Sequence, residues 1–381
     1  MKLKTPLFQN SFLFRPICFL YILFFAVFIA YPIRSASAQS SELKSPEDNI
    51  RRQLDKVDLA PRVLDSDFHN EFWTYHFYMD NGMQLILRFS VANFGMARDP
   101  VSGAKISIIN LPGTAKSFDA SKQYPYKELS YDTATSHLQL KEGKEVWFKG
   151  DINEQHLVKF DTNKDGNSYD VELSLFGAQP GFQPTAGAGN QNPANTAAPN
   201  KNISVMVHIP YAKTRGYVTI NDQKYEVTGT AYMDHIYLSK GVAELFKSGL
   251  RLIHHQSDTS WVAGYVAETK DMDNYPLIGY LMQRPNSRKQ KILLPLNKTA
   301  RGSGSIDGRS YPDTIDLTFS EQTRYSMTLS EVYQSLSILE DVGGLKKFVA
   351  KQYLGGEVIN FRGKGLVNGD QEAYFNYFKV N

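Results

Sequence analysis

The chain has 381 residues, of which 42% are hydrophobic, 21% charged and 13% aromatic, a globular composition that excludes a disordered or collagen-like polymer. Its net charge is +3, but residues 1–38 hold Lys2, Lys4, Arg15 and Arg34 and no acidic residue. The remainder carries −1, which offers nothing for nucleic-acid binding.

The N-terminus reads as a secretory signal. A basic start is followed by an uncharged apolar run from Ile17 to Tyr31. That run is shorter than the roughly 20 residues a membrane-spanning helix needs. Ala36-Ser37-Ala38 then supplies a small-residue cleavage pattern. The expectation is a signal peptide over 1–38, cleaved after Ala38, a periplasmic or secreted location, and no stable transmembrane span after processing. The single cysteine, Cys18, lies inside the apolar run, so the mature chain would have no disulfide, thiol nucleophile or cysteine-ligated metal.

Residues 45–59 read as one short helix. Ser45 suits its N-cap, Pro46 its first turn, Ile50, Leu54 and Val57 share a face, and Pro61 stops it. The period then changes to two. Leu85, Leu87, Phe89 and Val91 alternate with Gln84, Ile86, Arg88 and Ser90. The same alternation runs through Val171–Leu175, Ile203–Ile209 and Ile315–Phe319, as in half-buried strands. Turn signals stand at Asn81-Gly82, Asp165-Gly166, Asp307-Gly308 and Asn368-Gly369. Residues 177–202, rich in Gly, Pro, Asn and Ala, read as a flexible loop. Residues 329–353 read as helical, since Val332 and Leu336, then Leu345, Phe348 and Val349, recur at helical spacing. Many strands and little helix indicate an all-β fold, an antiparallel sandwich or barrel.

No cofactor motif is present: there is no Walker loop, no Gly-x-Ser-x-Gly elbow and no HExxH pair. Asp161, Asn163, Asp165, Gly166 and Glu172 match EF-hand spacing, but Ser168 stands at the usual apolar position and the flanks read as strands. A hairpin explains the same residues, and no metal site is expected. His254 and His255 are adjacent, so on a strand their rings point to opposite faces.

Tyr211–Leu238 holds a strand, an Asn221-Asp222 turn, a second strand and then Tyr232-Met233-Asp234-His235. This stretch resembles the signature of the tandem lipocalin-like family of hydroxyneurosporene synthase (CrtC), the AttH proteins and the fungal survival-factor proteins. The matching residues are Tyr211, Arg215, Val227, Gly229, Tyr232, Asp234 and His235, with Tyr237-Leu238 standing where the family has Trp-Gly. Glu71-Phe72-Trp73-Thr74-Tyr75, followed by Asp80-Asn81-Gly82, resembles that family's opening strand and turn. The resemblance implies two lipocalin-like antiparallel barrels, 65–240 and 241–381, and the helix read above falls in an N-terminal helix and linker over 39–64. It implies a lipophilic small molecule, a lipid or isoprenoid, as partner. The catalytic form of that implication is hydration or isomerisation of an isoprenoid-type substrate, with Asp234 as proton donor and His235 orienting water or ligand. Trp73, Tyr75, Tyr232, Tyr237 and Arg215 are then the expected ligand contacts. A non-catalytic lipid carrier or stress-protection protein and a structural envelope protein remain as alternatives. On a regular strand Asp234 and His235 face opposite sides, so both enter one cavity only through a bulge.

Overall fold

The computed structural model describes residues 51–62, 68–94, 99–114, 116–184, 203–270, 276–286, 288–337, 351 and 355–381. The signal segment 1–38, residues 185–202 of the loop, and 338–350 and 352–353 of the expected helical segment lie outside them.

Strand reversals fall where the sequence supplies residues that tolerate a left-handed backbone. Asp165, Asp307 and Asn368 have φ of +51°, +51° and +52°, and each is followed by a glycine at positive φ. This is the two-residue hairpin geometry that Asp-Gly and Asn-Gly favour. At Asn81-Gly82 the asparagine side chain accepts the Met83 N–H at 3.0 Å and Gly82 takes φ +87°. Between these turns run long segments rich in aromatic and β-branched residues, whose side chains fit a pleated surface.

The first sheet contains β1 (Arg51–Gln53), β2 (Phe68–Met79), β3 (Gln84–Phe94), β4 (Val101–Ile109) and β5 (Phe118–Pro125). It continues with β6 (Ser130–Asp132), β7 (His137–Gln139), β8 (Val146–Gly150), β9 (Gln155–Lys164) and β10 (Asn167–Phe176). It closes with β11 (Phe182–Pro184), β12 (Ile203–Ile220) and β13 (Gln223–Leu238). The order β5-β4-β3-β2-β13-β12-β10-β9-β8-β7-β6 is antiparallel throughout. A single helical turn, α1 (Val242–Leu245), leads to β14 (Phe246–Ser257), β15 (Ser260–Thr269), β16 (Leu277–Arg284), β17 (Lys291–Leu293) and β18 (Pro295–Arg301). After a small β19 (Gly304–Ile306) and β20 (Arg309–Tyr311) ribbon come β21 (Thr314–Phe319), β22 (Arg324–Ser337), β23 (Val358–Val367) and β24 (Gln371–Val380). The second sheet runs β17-β16-β15-β14-β24-β23-β22-β21-β18. Both sheets belong to one compact unit, Lys44–Asn381.

Each sheet curls around its own core into a lipocalin-like barrel. Trp73, Tyr75, Phe77, Phe89, Phe148 and Phe160 fill the first. Leu250, Leu252, Phe319, Phe361 and Phe375 fill the second. Each such buried side chain contributes about 1.5–3 kcal/mol relative to exposure. A third apolar cluster, with Val207, Tyr232, Ile236, Phe246, Trp261, Tyr280 and Phe378, draws on both sheets. The barrels therefore meet through their outer faces, and the strands at this seam are buried on both sides. β2 shows it plainly: ten of its twelve residues are buried. Gly229 is required by the close approach of β2 to β13, because a Cβ on it would collide with the Tyr78 carbonyl of that neighbouring strand.

The structure corrects three local expectations. Arg51–Gln53 is a strand paired with Phe182–Pro184, and Lys56–Leu59 is one 3-10 turn capped by Asp55, so the described part of 45–59 is no α-helix. Its partner lies about 130 residues away, so no local pattern reveals it. The same pairing makes Phe182–Pro184 a strand rather than loop. Residues 329–337 extend β22 and pair with β23. Val332 and Leu336 are four apart, a spacing that serves one strand face as well as one helix face.

Candidate functional site

β13 sends alternate residues to opposite sides. Tyr232 and Ile236 join the seam cluster, while Ala231 and Met233 join the first barrel's core. Asp234 follows the seam face. It is fully buried, and both its oxygens accept from Arg251 of β14, Oδ2 from Nε at 2.5 Å and Oδ1 from Nη2 at 3.1 Å. Tyr232 donates its hydroxyl to the same carboxylate at 3.0 Å. Arg251 also donates to Asn376 Oδ1 at 3.2 Å and stacks 4.9 Å from the centre of the Tyr265 ring. Burial disfavours the Arg251 charge, but Asp234 beside it outweighs burial and holds the guanidinium above its ordinary pKa. A paired, fully hydrogen-bonded carboxylate of this kind fixes the geometry of its neighbour.

Other polar stitches cross the seam. Tyr280 of β16 accepts the Val207 N–H at 2.8 Å and donates to the Phe182 carbonyl at 2.5 Å. His255 donates from Nε2 to the Pro210 carbonyl at 2.8 Å and accepts at Nδ1 from Thr230 at 3.0 Å. Burial lowers its pKa to about 4, so it is neutral. His254 turns the other way, to the Glu372 carbonyl at 2.6 Å.

Two chambers open beside the ion pair. The larger, about 360 Å³, is walled by Phe68, Phe72, Ile236, Leu238, Phe246, Val358 and Phe378, with α1 and its Glu244 along one side and Asn70, Arg88, Arg251, Tyr265 and Asn360 as its other polar groups. The smaller, about 160 Å³, shares Arg88 and Asn360 with it and adds Ile86, Lys105, Ser107, Gln334, Arg362 and Asn376. A mostly apolar concavity with a few convergent polar groups is the form that small-molecule sites take.

On the opposite face of β13, His235 sits in a separate polar cluster. Its Nδ1 donates to the Asp58 carbonyl at 3.0 Å, and its Nε2 meets Glu71 Oε1 at 2.7 Å. His69 and the Arg62 N–H also donate to Glu71. Burial pushes the Glu71 carboxyl up, but the hydrogen bonds from His235 and His69 outweigh it and hold the group below its usual range. Trp73 stacks on His235 with ring centres 4.6 Å apart and donates to the Leu59 carbonyl.

The expected site residues are thus divided. Tyr232 and Asp234 share the seam, but Asp234 stands behind Arg251 and is not among the residues lining either chamber. Trp73, Tyr75 and His235 belong to the first barrel, where Tyr75 donates to His156 Nε2 at 2.8 Å. Tyr237 lies half-buried between Arg62 and His69. Arg215 is exposed on the outer surface, over Phe176. The chamber residues Arg88, Arg251, Asn360, Arg362 and Asn376 were not foreseen. Each occupies the polar phase of an alternating strand, which reads as solvent-facing. The available signal was arginine flanked by apolar residues on strands that lack a run of other charges.

No family model matches the chain, and no curated protein matches it. Solved structures do. The AttH-like protein of Nitrosomonas europaea superposes with a TM-score of 0.53 at 14% identity, over 90% of this chain and 98% of that one. CghA with Sch210972 superposes with a TM-score of 0.53 at 13% identity, over 83% of this chain and 89% of that one. A looser match, kievitone hydratase from Nectria haematococca, at TM-score 0.44 and 15% identity over 82% and 88%, adds nothing to the assignment. These likenesses establish the fold, a lipocalin-like tandem barrel.

Proposed function

We propose that this protein binds a lipophilic small molecule at the seam between its two barrels and acts as a carrier. The observation that carries this reading is the 360 Å³ chamber, whose aromatic and aliphatic walls meet a small set of convergent polar groups. The crystal structure of CghA with Sch210972, on the same fold, is in keeping with it. Hydration or isomerisation at Asp234 and His235 rests on the sequence resemblance. The buried Asp234–Arg251 pair and the opposite facing of His235 favour the carrier reading over that one. Export, with the mature chain beginning at Gln39, is part of the same proposal.

Native mass spectrometry of the purified protein tests the binding claim. Val242, half-buried on α1, lines the larger chamber, so Val242→Trp fills the space without touching the ion pair. The expected result is a co-purified small molecule on the wild type and none on the variant, with unchanged far-UV spectra. Equal adducts on both proteins, or none on either, would count against the seam.

A further inference from the structure

Three guanidinium groups border the chambers, and among the described residues only Arg251 has a carboxylate partner. Arg88 lies over the Phe72 ring at 5.3 Å, and its Nε is buried with no hydrogen-bond partner among the described residues. Arg362 is only 5% exposed. Its Nη1 donates to the Ser107 carbonyl at 3.3 Å, while Nε and Nη2 are buried and likewise without partners. Burial and the Arg251 charge lower Arg88 to about 10; burial lowers Arg362 to about 10, partly opposed by Asp119. Asp119 accepts from Gln334 Nε2 at 3.2 Å through Oδ2, its Oδ1 being buried without a partner among the described residues and out of hydrogen-bond reach of Arg362, and Asp234 is taken by Arg251. Against Glu244 on the larger chamber and the engaged Asp119 and Asp234, the three arginines and Lys105, exposed at the smaller chamber, leave one positive charge in excess. Desolvating a guanidinium without giving its N–H groups an acceptor is strongly unfavourable. Arg362, with the half-buried Arg88 and its unpartnered Nε on the same cavity, calls for an acceptor that comes from outside.

We propose that the seam ligand is an anionic amphiphile, with its oxyanion held by Arg88 and Arg362 in the smaller chamber and its hydrocarbon part in the larger. The inference rests on the seam as binding site and adds the chemical class of what binds there. The planar guanidinium fork matches a carboxylate and strengthens in a poorly hydrated pocket. Phe72, Phe246 and Phe378 then cover the chain.

Calorimetric titration of the full chain with decanoate, decanol and acetate tests it. Decanoate is expected to bind at least tenfold more tightly than either decanol, which lacks the charge, or acetate, which lacks the chain. Arg88→Met and Arg362→Met are each expected to cut decanoate affinity at least tenfold and leave decanol affinity unchanged. Because Arg362→Met removes an uncompensated buried charge and Arg88→Met a half-buried one, the melting temperature without ligand should rise or hold. Equal binding of decanoate and decanol to the wild type, a comparison that needs no variant, overturns the anion assignment and leaves the seam standing. So does a marked fall in melting temperature with decanoate affinity intact, which would make the arginines structural. If no probe binds and Val242→Trp changes nothing, the seam itself is wrong.

Discussion

Asp234 and Arg251 share one buried bidentate contact, and its energetics follow from isolation. Two charges out of water repay their desolvation only through each other. Removing one partner strands the survivor, which in buried pairs costs about 3–5 kcal/mol. Asp234→Asn and Arg251→Met are each expected to lower the unfolding free energy by about that amount, and Asp234→Leu combined with Arg251→Met to recover most of it. Urea unfolding checks this; an Asp234→Asn protein with the wild-type midpoint would remove the pair from the fold's support. Of the two residues, only Asp234 was legible in the sequence, through the Tyr-x-Asp-His stretch. Arg251 sits on another strand, and nothing local ties it to Asp234.

β13 works as a divider between two environments. Its seam face carries Tyr232, Asp234 and Ile236, and its inner face carries Met233 and His235. Changes on one face should therefore leave the other's function alone. Glu71→Gln replaces a carboxylate that accepts from His235, His69 and the Arg62 N–H, so it should cost about 1–3 kcal/mol of stability. Decanoate affinity should not change; a parallel loss of binding would mean the two faces are coupled. At this scale the hairpins were the most legible elements, because Asp165-Gly166 and Asn368-Gly369 specify a backbone that few other pairs adopt. Opposite facing of Asp234 and His235 also followed from the period-two rule alone. The pairing of Arg51–Gln53 with Phe182–Pro184 was illegible, since it joins segments whose contact is made only in the folded chain. β22 was misread because Val332 and Leu336, four apart, stand at a spacing that suits a strand as well as a helix.

The whole molecule is two barrels back to back, and their shared face holds much of the buried polar material. That arrangement hides the seam from sequence reading: arginine, asparagine and histidine on an outer barrel face look solvated until a second barrel covers them. The fold is also sensitive to acid. His156 is buried, with Nδ1 donating to the Gly150 carbonyl and Nε2 accepting from Tyr75, and burial lowers its pKa to about 4. Burial pushes His76 and His208 well below the ordinary value too. An unfolded chain binds these protons more tightly, so stability is full above about pH 6.5 and falls as pH drops toward about 4. For His156 alone the loss is on the order of 3 kcal/mol. Thermal unfolding followed between these pH values checks it, and a melting temperature that rises on acidification would contradict it. The seam as the ligand site is tested most directly by a crystal structure of the full chain with decanoate. Density for the hydrocarbon along Phe72, Phe246 and Phe378, with the carboxylate against Arg88 and Arg362, is the result expected. Decanoate inside the first barrel, beside Trp73 and Tyr75, with the seam empty, would contradict it.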